Sequence, residues 1–478
     1  MSIKSLGSQS LIYGAGHVAA RGVTFLLLPI YTNIFSLEDY GIISLIYTFL
    51  GFMNVVLHYG LDASLLKHYM PADSEERKTI LSNAYGSFLI TTILFSVLLI
   101  IFRNNVSGLL FGINLPNITL LVVGILFFDV LWSIHVLILR AEERPVYFSI
   151  ISFLNVLSTL ALNILFVIYL ELGIYGVLLS NLITSGVIFL ITFPIILKRS
   201  SIKSLSLKYW KKMMKFGVPF LPAGIFSMIL ELSDRYILRY LTDIETVGLY
   251  NAGYKLGLLI LLIVMGFNMA WQPYFLKKKG EERKYIADVT TLVFAVLGFL
   301  WILLLLWSDT MVKMKFGDFS FFGEQYWEAT SIVPIIGLAY VFHAGYLIQL
   351  PGVYLLEKTG WIPWVRGLGA LSNIILNFLF IPEYGIVGAA SATCLSFILM
   401  AVFIYFINRK FFPIPFNWQK LAIIIFTTVV ISLIHFNFPL ESAGKMLISV
   451  LYPAIMIFNQ MEGLKQIKSI LHQNTKSS

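Results

Sequence analysis

Long hydrophobic runs separated by short polar segments dominate the chain. A helix needs about 20 apolar residues to cross the hydrocarbon core of a bilayer, and about fourteen runs reach that length. They lie near residues 11–34, 40–60, 80–102, 117–139, 146–170, 175–197, 216–238, 248–275, 286–308, 329–353, 361–381, 386–407, 419–437 and 443–459. The pattern predicts an all-α, polytopic membrane protein with about 14 transmembrane helices.

One phrase of the sequence occurs twice, as LNILFVIYLELGIYG and as LNFLFIPEYGIVG. Asn163 and Asn377 lie 214 residues apart in the two copies, and Gly173 and Gly385 lie 212 residues apart. Six predicted helices separate the copies, which is an even number, so both copies face the same side of the membrane. This indicates a parallel repeat about an axis along the membrane normal and predicts two pseudo-symmetric six-helix lobes.

The repeat predicts a domain organisation. We expect an N-lobe with transmembrane helices 1–6 (1–201), a C-lobe with helices 7–12 (217–410), and helices 13–14 with a cytoplasmic tail (411–478). Residues 202–216 carry several lysines among apolar side chains. This basic cytoplasmic linker is either an interfacial helix that turns its lysines toward lipid headgroups or a loop that only fixes topology.

Lysine and arginine fall on alternate sides of the predicted spans. With the N-terminus placed in the cytoplasm, 25 of the 34 lie in inside segments, 5 in outside segments and 4 within spans. Cytoplasmic loops carry an excess of these residues. We therefore expect a multi-pass protein of the cell (cytoplasmic or inner) membrane with both termini cytoplasmic.

Composition excludes several function classes. The chain is 58% hydrophobic and 12% charged, whereas soluble domains carry about 25% charged residues. Its net charge of +9 is typical of basic cytoplasmic loops, so we expect no nucleic-acid partner. Cys394 is the only cysteine, so no intrachain disulfide or zinc motif can form. We find no phosphate-binding GxxxxGK[ST] motif and expect no cofactor.

Ionisable side chains within the predicted spans are the main functional candidates, because charge inside a membrane is costly. Cations outnumber acids within the predicted spans, which fits a diphosphate ligand that accepts charged hydrogen bonds. Each cation has a structural alternative, which is pairing with an acid or reaching toward the interface. The candidate substrate-binding cations are Arg21, Lys255, Arg366 and Arg235, and the polar residues that share a helix face with three of them are His17, Asn251 and Asn373.

Asp129 lies near the middle of predicted span 4. A carboxylate there can titrate and couple transport to H+ or Na+. The alternatives are a salt bridge to Arg21 and a hydrogen-bonded, purely structural acid. His135 is six residues further on and faces another direction, so we do not join the two as a relay.

Several stretches resemble the Wzx-like polysaccharide (O-antigen and capsule) flippases of the MOP exporter superfamily. LPIYTNIFSLEDYGIISLIYT (Leu28–Thr48) is similar to that family's junction of helices 1 and 2. DRYILRYLTDIETVGLYNAGYKLG (Asp234–Gly257) is similar to its junction of helices 7 and 8. The repeated phrase is similar to the junctions of helices 5/6 and 11/12.

The resemblance implies a two-lobed, V-shaped bundle of the MATE/MOP type and alternating access about a central cavity. It implies a flippase, not an enzyme, that moves an undecaprenyl-diphosphate-linked oligosaccharide for O-antigen, lipopolysaccharide or other surface polysaccharide biosynthesis. The implied partners are the polyprenyl-diphosphate-linked oligosaccharide, membrane lipids, and a polysaccharide polymerase with its chain-length regulator.

Three other functions stay open at this point. A multidrug or cation-coupled extruder of the same fold needs acids in its cavity. A lipid II flippase handles a similar lipid diphosphate. A membrane O-antigen polymerase or ligase resembles its relatives in a long outside loop, whereas the longest outside segment here is about Asp309–Glu328.

Overall fold

The computed structural model describes residues 25–112, 115–277, 283–317 and 319–476. His17 and Arg21 lie outside the described residues. Short 3-10 turns cover Ile202–Ser204, Val218–Phe220 and Glu324–Ile332, and a π-helical turn covers Ile164–Tyr169. The described helices and strands are α1 (Phe25–Ile34), α2 (Leu37–His58), α3 (Leu61–Tyr69), α4 (Ser74–Ile101), α5 (Arg103–Phe111), α6 (Pro116–Ala141), α7 (Pro145–Asn163), α8 (Gly173–Arg199), α9 (Leu207–Gly217), α10 (Leu221–Leu241), α11 (Ile244–Gly257), α12 (Leu259–Lys277), α13 (Arg283–Val312), β1 (Lys315–Phe316), β2 (Phe319–Ser320), α14 (Val333–Ile348), α15 (Pro351–Leu355), α16 (Trp361–Phe411), α17 (Trp418–Asn437) and α18 (Ser442–Lys476).

Within those residues, eleven helices or helix runs are long and apolar enough to cross a membrane. A twelfth is formed by α11 and α12, which are bent by 44° relative to each other. The 51 residues of α16 include a non-helical break at Gly385; at about 1.5 Å per residue the run is far longer than the bilayer core is thick. These elements confirm an all-helical, multi-pass membrane protein and are compatible with fourteen spans.

Local signals set many helix ends. Ser36 caps α2, where its Oγ accepts a hydrogen bond from the Asp39 amide at 3.1 Å. Asp73 caps α4 in the same way. Proline lies in the first turn of α6, α7, α10, α14 and α15, where its missing N–H is not needed.

The two copies of the repeated phrase adopt corresponding structures. Asn163 and Asn377 are both fully buried. Gly173 and Gly385 both have left-handed backbone angles, with φ of 56° and 54°. A Cβ at either glycine would meet nothing within 4 Å. The turn therefore requires glycine for its backbone conformation rather than for space.

The described contacts divide the chain into two compact units, Met1–Asn251 with Ile374–Ile386, and Ala252–Asn373 with Val387–Ser478. In the first unit, α6 packs against α8 and α4, around a core that includes Leu126, Val130 and Ile134. In the second unit, α13 packs against α14, α17 and α18. Because α9 and α10 pack with the first unit, its boundary falls later than the predicted lobe boundary, and the lobe boundaries stay a prediction.

The glycines of the two junction motifs lie at one close helix crossing in the first unit. A Cβ on Gly41 of α2 would lie 2.1 Å from the Ile244 carbonyl oxygen, and one on Gly248 of α11 would lie 2.0 Å from the Leu37 carbonyl oxygen. Any larger residue at either position would therefore collide with backbone. The similar stretches Leu28–Thr48 and Asp234–Gly257 thus share a packing contact.

The linker contains a helix, α9, that is fastened to α3 and α4. Ser64 Oγ donates a hydrogen bond to the Met213 carbonyl at 2.9 Å. Trp210 Nε1 donates one to Ser87 Oγ at 2.6 Å. The predicted helix is therefore present over Leu207–Gly217, while its position on a lipid leaflet stays a prediction. Its exposed lysines are Lys208, Lys211, Lys212 and Lys215.

Candidate functional site

Arg235, one of the predicted ligand-binding cations, is buried in a local network of the first unit. Its Nη1 lies 2.7 Å from Asp234 Oδ1 and also donates to the Glu231 carbonyl. Tyr250 of α11 donates its hydroxyl to Asp234 Oδ2 at 2.5 Å, and the Arg235 guanidinium lies 5.6 Å from the Tyr250 ring centre. Arg235 and Asp234 are only 4% and 0% exposed. The network ties α10 to α11, which fits a structural role.

Lys255 and Arg366 both belong to the second unit and are partly exposed. Lys255 lies on α11, two residues before the bend between α11 and α12. Arg366 lies on the second turn of α16. Asn251, which shares the Lys255 face, is 7% exposed and belongs to the first unit.

Asn373 of α16 contributes to helix packing. Its side chain is fully buried, and its Nδ2 donates to Thr393 Oγ1 at 3.2 Å. Asn163 of α7 has a similar bond: the Tyr31 hydroxyl of α1 donates to Asn163 Oδ1 at 2.7 Å. For Asn163 this confirms the expected interhelical hydrogen bond.

Asp129 faces α8. Its Oδ1 accepts hydrogen bonds from Ser185 Oγ at 2.5 Å and from Trp132 Nε1 at 3.0 Å. Ser185 Oγ also lies 3.4 Å from Asn181 Oδ1, and Asn181 Nδ2 donates to the Tyr47 hydroxyl at 3.3 Å. Sequence reasoning found the acid but not these partners: Trp132 lies on α6 itself, whereas Ser185 and Asn181 lie on α8 and Tyr47 lies on α2.

Two histidines of the first unit form hydrogen bonds between helices: His58, which the sequence analysis did not consider, and His135, which it set aside. His58 Nε2 and Ser133 Oγ are hydrogen-bonded at 2.8 Å, one helical turn from Asp129. His135 is fully buried, and its Nδ1 lies 2.7 Å from Thr192 Oγ1. His135 thus faces away from Asp129, as expected.

An ion-pair cluster joins the C-terminal end of α6 to the C-terminal end of α8. Arg199 donates to both oxygens of Glu142, at 2.7 and 2.9 Å, and the Tyr69 hydroxyl donates to Glu142 Oε1 at 3.0 Å. Burial raises the pKa of the Glu142 carboxyl. This effect is outweighed by the hydrogen bonds and charge of Arg199, by the hydrogen bond from Tyr69 and by the charge of Arg144, all of which lower the pKa. The net pKa lies below its ordinary value, so Glu142 stays charged.

The second unit has a partly open apolar cavity of about 850 Å³ between α13, α14, α16 and α17. Aromatic rings line much of it, and Gln349 provides one of its few polar groups. A cavity of this volume and lining accepts hydrocarbon rather than sugar. Among the described residues, no group of three His, Cys, Asp or Glu side chains could hold a metal ion.

Sequence comparison relates the chain to surface-glycan proteins. A family model described as "Polysaccharide biosynthesis protein" matches residues 6–279, more than half of the chain. The Lsg locus putative protein 1 of Haemophilus influenzae is 22% identical over 80% of this chain and 95% of its own length. A putative O-antigen transporter of Shigella flexneri is 22% identical over 78% and 90%. A probable low-salt glycan biosynthesis flippase of Haloferax volcanii is 18% identical over 91% and 90%.

Comparison with solved structures confirms the expected fold. The lipid II flippase MurJ, in an inward closed conformation, matches with a TM-score of 0.77 at 17% identity, over 94% of this chain and all of that one. An inward-facing multidrug resistance MATE family transporter of the MOP superfamily matches with a TM-score of 0.68 at 11% identity, over 86% and 98%. At these identities the likeness concerns the fold alone.

Proposed function

Because this chain belongs to the polysaccharide biosynthesis protein family, we propose that it is a flippase for a lipid-linked oligosaccharide. The proposed cargo is an undecaprenyl-diphosphate-linked repeat unit, moved from the cytoplasmic to the outer leaflet of the cell membrane for surface polysaccharide synthesis. It acts as a secondary transporter rather than an enzyme, with H+ or Na+ as coupling ion. A polysaccharide polymerase and a chain-length regulator are the expected partners.

The observation that carries the proposal is the family match over residues 6–279 in a chain with the MOP fold. Two sequence relatives are named an O-antigen transporter and a glycan biosynthesis flippase. The close helix crossing at Gly41 and Gly248 joins segments of the two predicted lobes. Alternating access by rocking of the lobes would have to open that crossing.

The proposed diphosphate ligands are Arg21, Lys255 and Arg366. Phosphate oxygens accept charged hydrogen bonds from such donors, and both Lys255 and Arg366 are partly exposed. Arg235 was predicted with them, but its buried contact with Asp234 favours a structural role. The apolar cavity of the second unit supports a cargo with a hydrocarbon tail.

A reconstituted flipping assay tests the function. Purified protein is placed in liposomes with a short oligosaccharide on a polyprenyl diphosphate, and appearance of the glycan in the opposite leaflet is followed with time. We expect flipping by the wild type, and a loss of about tenfold to a hundredfold in Arg366→Ala, since a lost charge-assisted contact is worth about 1.5–3 kcal/mol. Arg366→Lys should recover part of the rate.

Arg409→Ala is the matched control, because Arg409 is exposed in the last turn of the same helix. Unchanged flipping in folded Arg366→Ala would remove Arg366 from the site but keep the transporter. Efflux of a cationic dye without glycan flipping would show a multidrug extruder. Flipping of lipid II in preference to the oligosaccharide would show a lipid II flippase.

A further inference from the structure

Asp129 is a membrane-embedded acid whose hydrogen-bond partners among the described residues are neutral. Its hydrogen bonds come from two neutral donors, Ser185 and Trp132, and both reach Oδ1. Glu142, Asp234 and Asp309, by contrast, each lie in an ion pair. A charged carboxylate at membrane depth costs free energy, and a bound proton removes that cost.

A line of polar groups leads from this acid to an exposed side chain. It runs from Asp129 to Ser185 of α8, then to Asn181 one turn away, then to Tyr47 of α2, with distances of 2.5, 3.4 and 3.3 Å. Ser185 is 1% exposed, whereas Tyr47 is 37% exposed. The line therefore connects the buried end of the network with the surface of the first unit.

The direction of the hydrogen bond between Ser185 and Asp129 depends on whether Asp129 is charged. A hydroxyl has one hydrogen to donate. When Asp129 is charged, Ser185 donates to it at 2.5 Å. When Oδ1 carries a proton, Asp129 donates to Ser185 and the serine hydrogen turns toward Asn181 Oδ1 at 3.4 Å. Proton binding thus reverses one hydrogen bond and redirects the next.

Few other titratable groups face Asp129 from the helices around it. Helix α2 supplies Tyr47, which accepts a hydrogen bond from Asn181, and His58, which is hydrogen-bonded to Ser133. On α6 itself, His135 faces Thr192 of α8 and Tyr85 of α4. The remaining groups on the helices that pack against α6 lie near helix ends or on α3: Glu38, Asp39 and Tyr40 on α2, Asp62, Lys67, His68 and Tyr69 on α3, Glu75, Glu76, Arg77 and Lys78 on α4, Arg103 on α5, Tyr147 on α7, and Tyr175, Lys198 and Arg199 on α8.

We propose that Asp129 is a proton-binding site that couples flipping to the proton gradient across the membrane. Donor groups surround its Oδ1, whereas a sodium ion requires several oxygen ligands. The proton enters from water on one side, neutralises Asp129 and leaves on the other, and the line through Ser185 and Asn181 carries the change to Tyr47. This inference rests on the proposed flippase function.

The test is glycan flipping in liposomes with an imposed pH gradient, in sodium-free and in sodium-containing buffer. We expect the gradient to change the wild-type rate by about fivefold or more, the lower end of measured coupling between sites, without need for sodium. Asp129→Asn removes the titrating group at nearly constant shape. It should flip without a gradient and lose the response.

Ser180→Ala and Ser185→Ala form a matched pair on α8. Ser180 hydrogen-bonds only to its own helix, at the Gly176 carbonyl, so its variant should respond to the gradient like the wild type. Ser185→Ala keeps the acid and breaks the line, so its pH–rate profile should be displaced. Ser185→Ala still tests the proposal if Asp129→Asn does not fold.

Several results would overturn the proposal. A full gradient response in Asp129→Asn, or an unshifted profile in Ser185→Ala, excludes this site while the flippase stands. A wild-type response that requires sodium excludes proton coupling. Absence of any wild-type flipping, with or without a gradient, refutes the proposed function itself and this inference with it.

Discussion

At the scale of single residues, burial and partners separate a structural cation from a candidate ligand. Arg235 and Arg366 look alike in the sequence, since each is an arginine within a predicted span. In the structure Arg235 is enclosed with Asp234 and Tyr250, whereas Arg366 is partly exposed. Sequence spacing offers Asp234 and Glu231 as neighbours but does not decide which of them the guanidinium meets, and it gives no sign of Tyr250 on α11.

Loss of the Asp234 charge should therefore destabilise the protein. Asp234→Asn removes the anion that lies 2.7 Å from the buried Arg235 guanidinium, and breaking a buried ion pair costs about 3–5 kcal/mol. We expect a marked fall in the thermal midpoint of the purified protein in detergent. Asp309→Asn is the control, because the Asp309–Lys313 pair is exposed and such pairs contribute less than about 1 kcal/mol.

A double variant distinguishes scaffold from ligand. Adding Arg235→Met to Asp234→Asn removes the buried cation together with the buried anion, so stability should recover. If Arg235 is structural, the double variant should flip the oligosaccharide at a near-normal rate. A stable double variant that has lost flipping would return Arg235 to the substrate site.

At the scale of elements, the sequence predicted much of the fold. Apolar runs placed the spans, and the repeated phrase marked two corresponding junctions, at which the structure gives both Gly173 and Gly385 a positive φ. The bend within the predicted span 248–275 was not foreseen, since the run stays apolar through it. The partners of Asp129 were also missed, because the rotation of packed helices is not fixed by periodicity alone.

The two repeat glycines should be equally intolerant of a side chain. Gly173→Ala and Gly385→Ala force a residue with a Cβ into left-handed angles, at a cost of about 1–3 kcal/mol each. We expect lower thermal midpoints for both. Gly108→Ala is the control with the opposite sign: Gly108 lies within α5, where an added Cβ would meet nothing within 4 Å, and alanine favours a helix. A stabilised Gly173→Ala would contradict the backbone argument.

At the scale of the whole molecule, the uneven distribution of lysine and arginine predicts which side of the membrane each loop occupies. Flipping from the cytoplasmic to the outer leaflet presupposes that the linker is inside and that the segment near Glu324 is outside. Cys394 is the only cysteine and is buried, so Cys394→Ser provides a clean background for labelling.

In that background, Glu324→Cys should react with a membrane-impermeant maleimide added to intact cells, and Lys203→Cys should react only after permeabilisation. Both positions are exposed in the structure, so access to the reagent depends on the side of the membrane alone. The reverse labelling pattern would invert the topology and with it the proposed direction of transport.

The first unit is discontinuous in the sequence, and this has a consequence for its biosynthesis. Its last segment, Ile374–Ile386, begins 123 residues after the main part ends at Asn251. At 5–20 residues per second a ribosome needs roughly 6–25 s for that stretch. During this time the helices already inserted must wait beside the translocon without their final segment, where a membrane chaperone or neighbouring lipid would have to cover the surface that residues 374–386 later occupy.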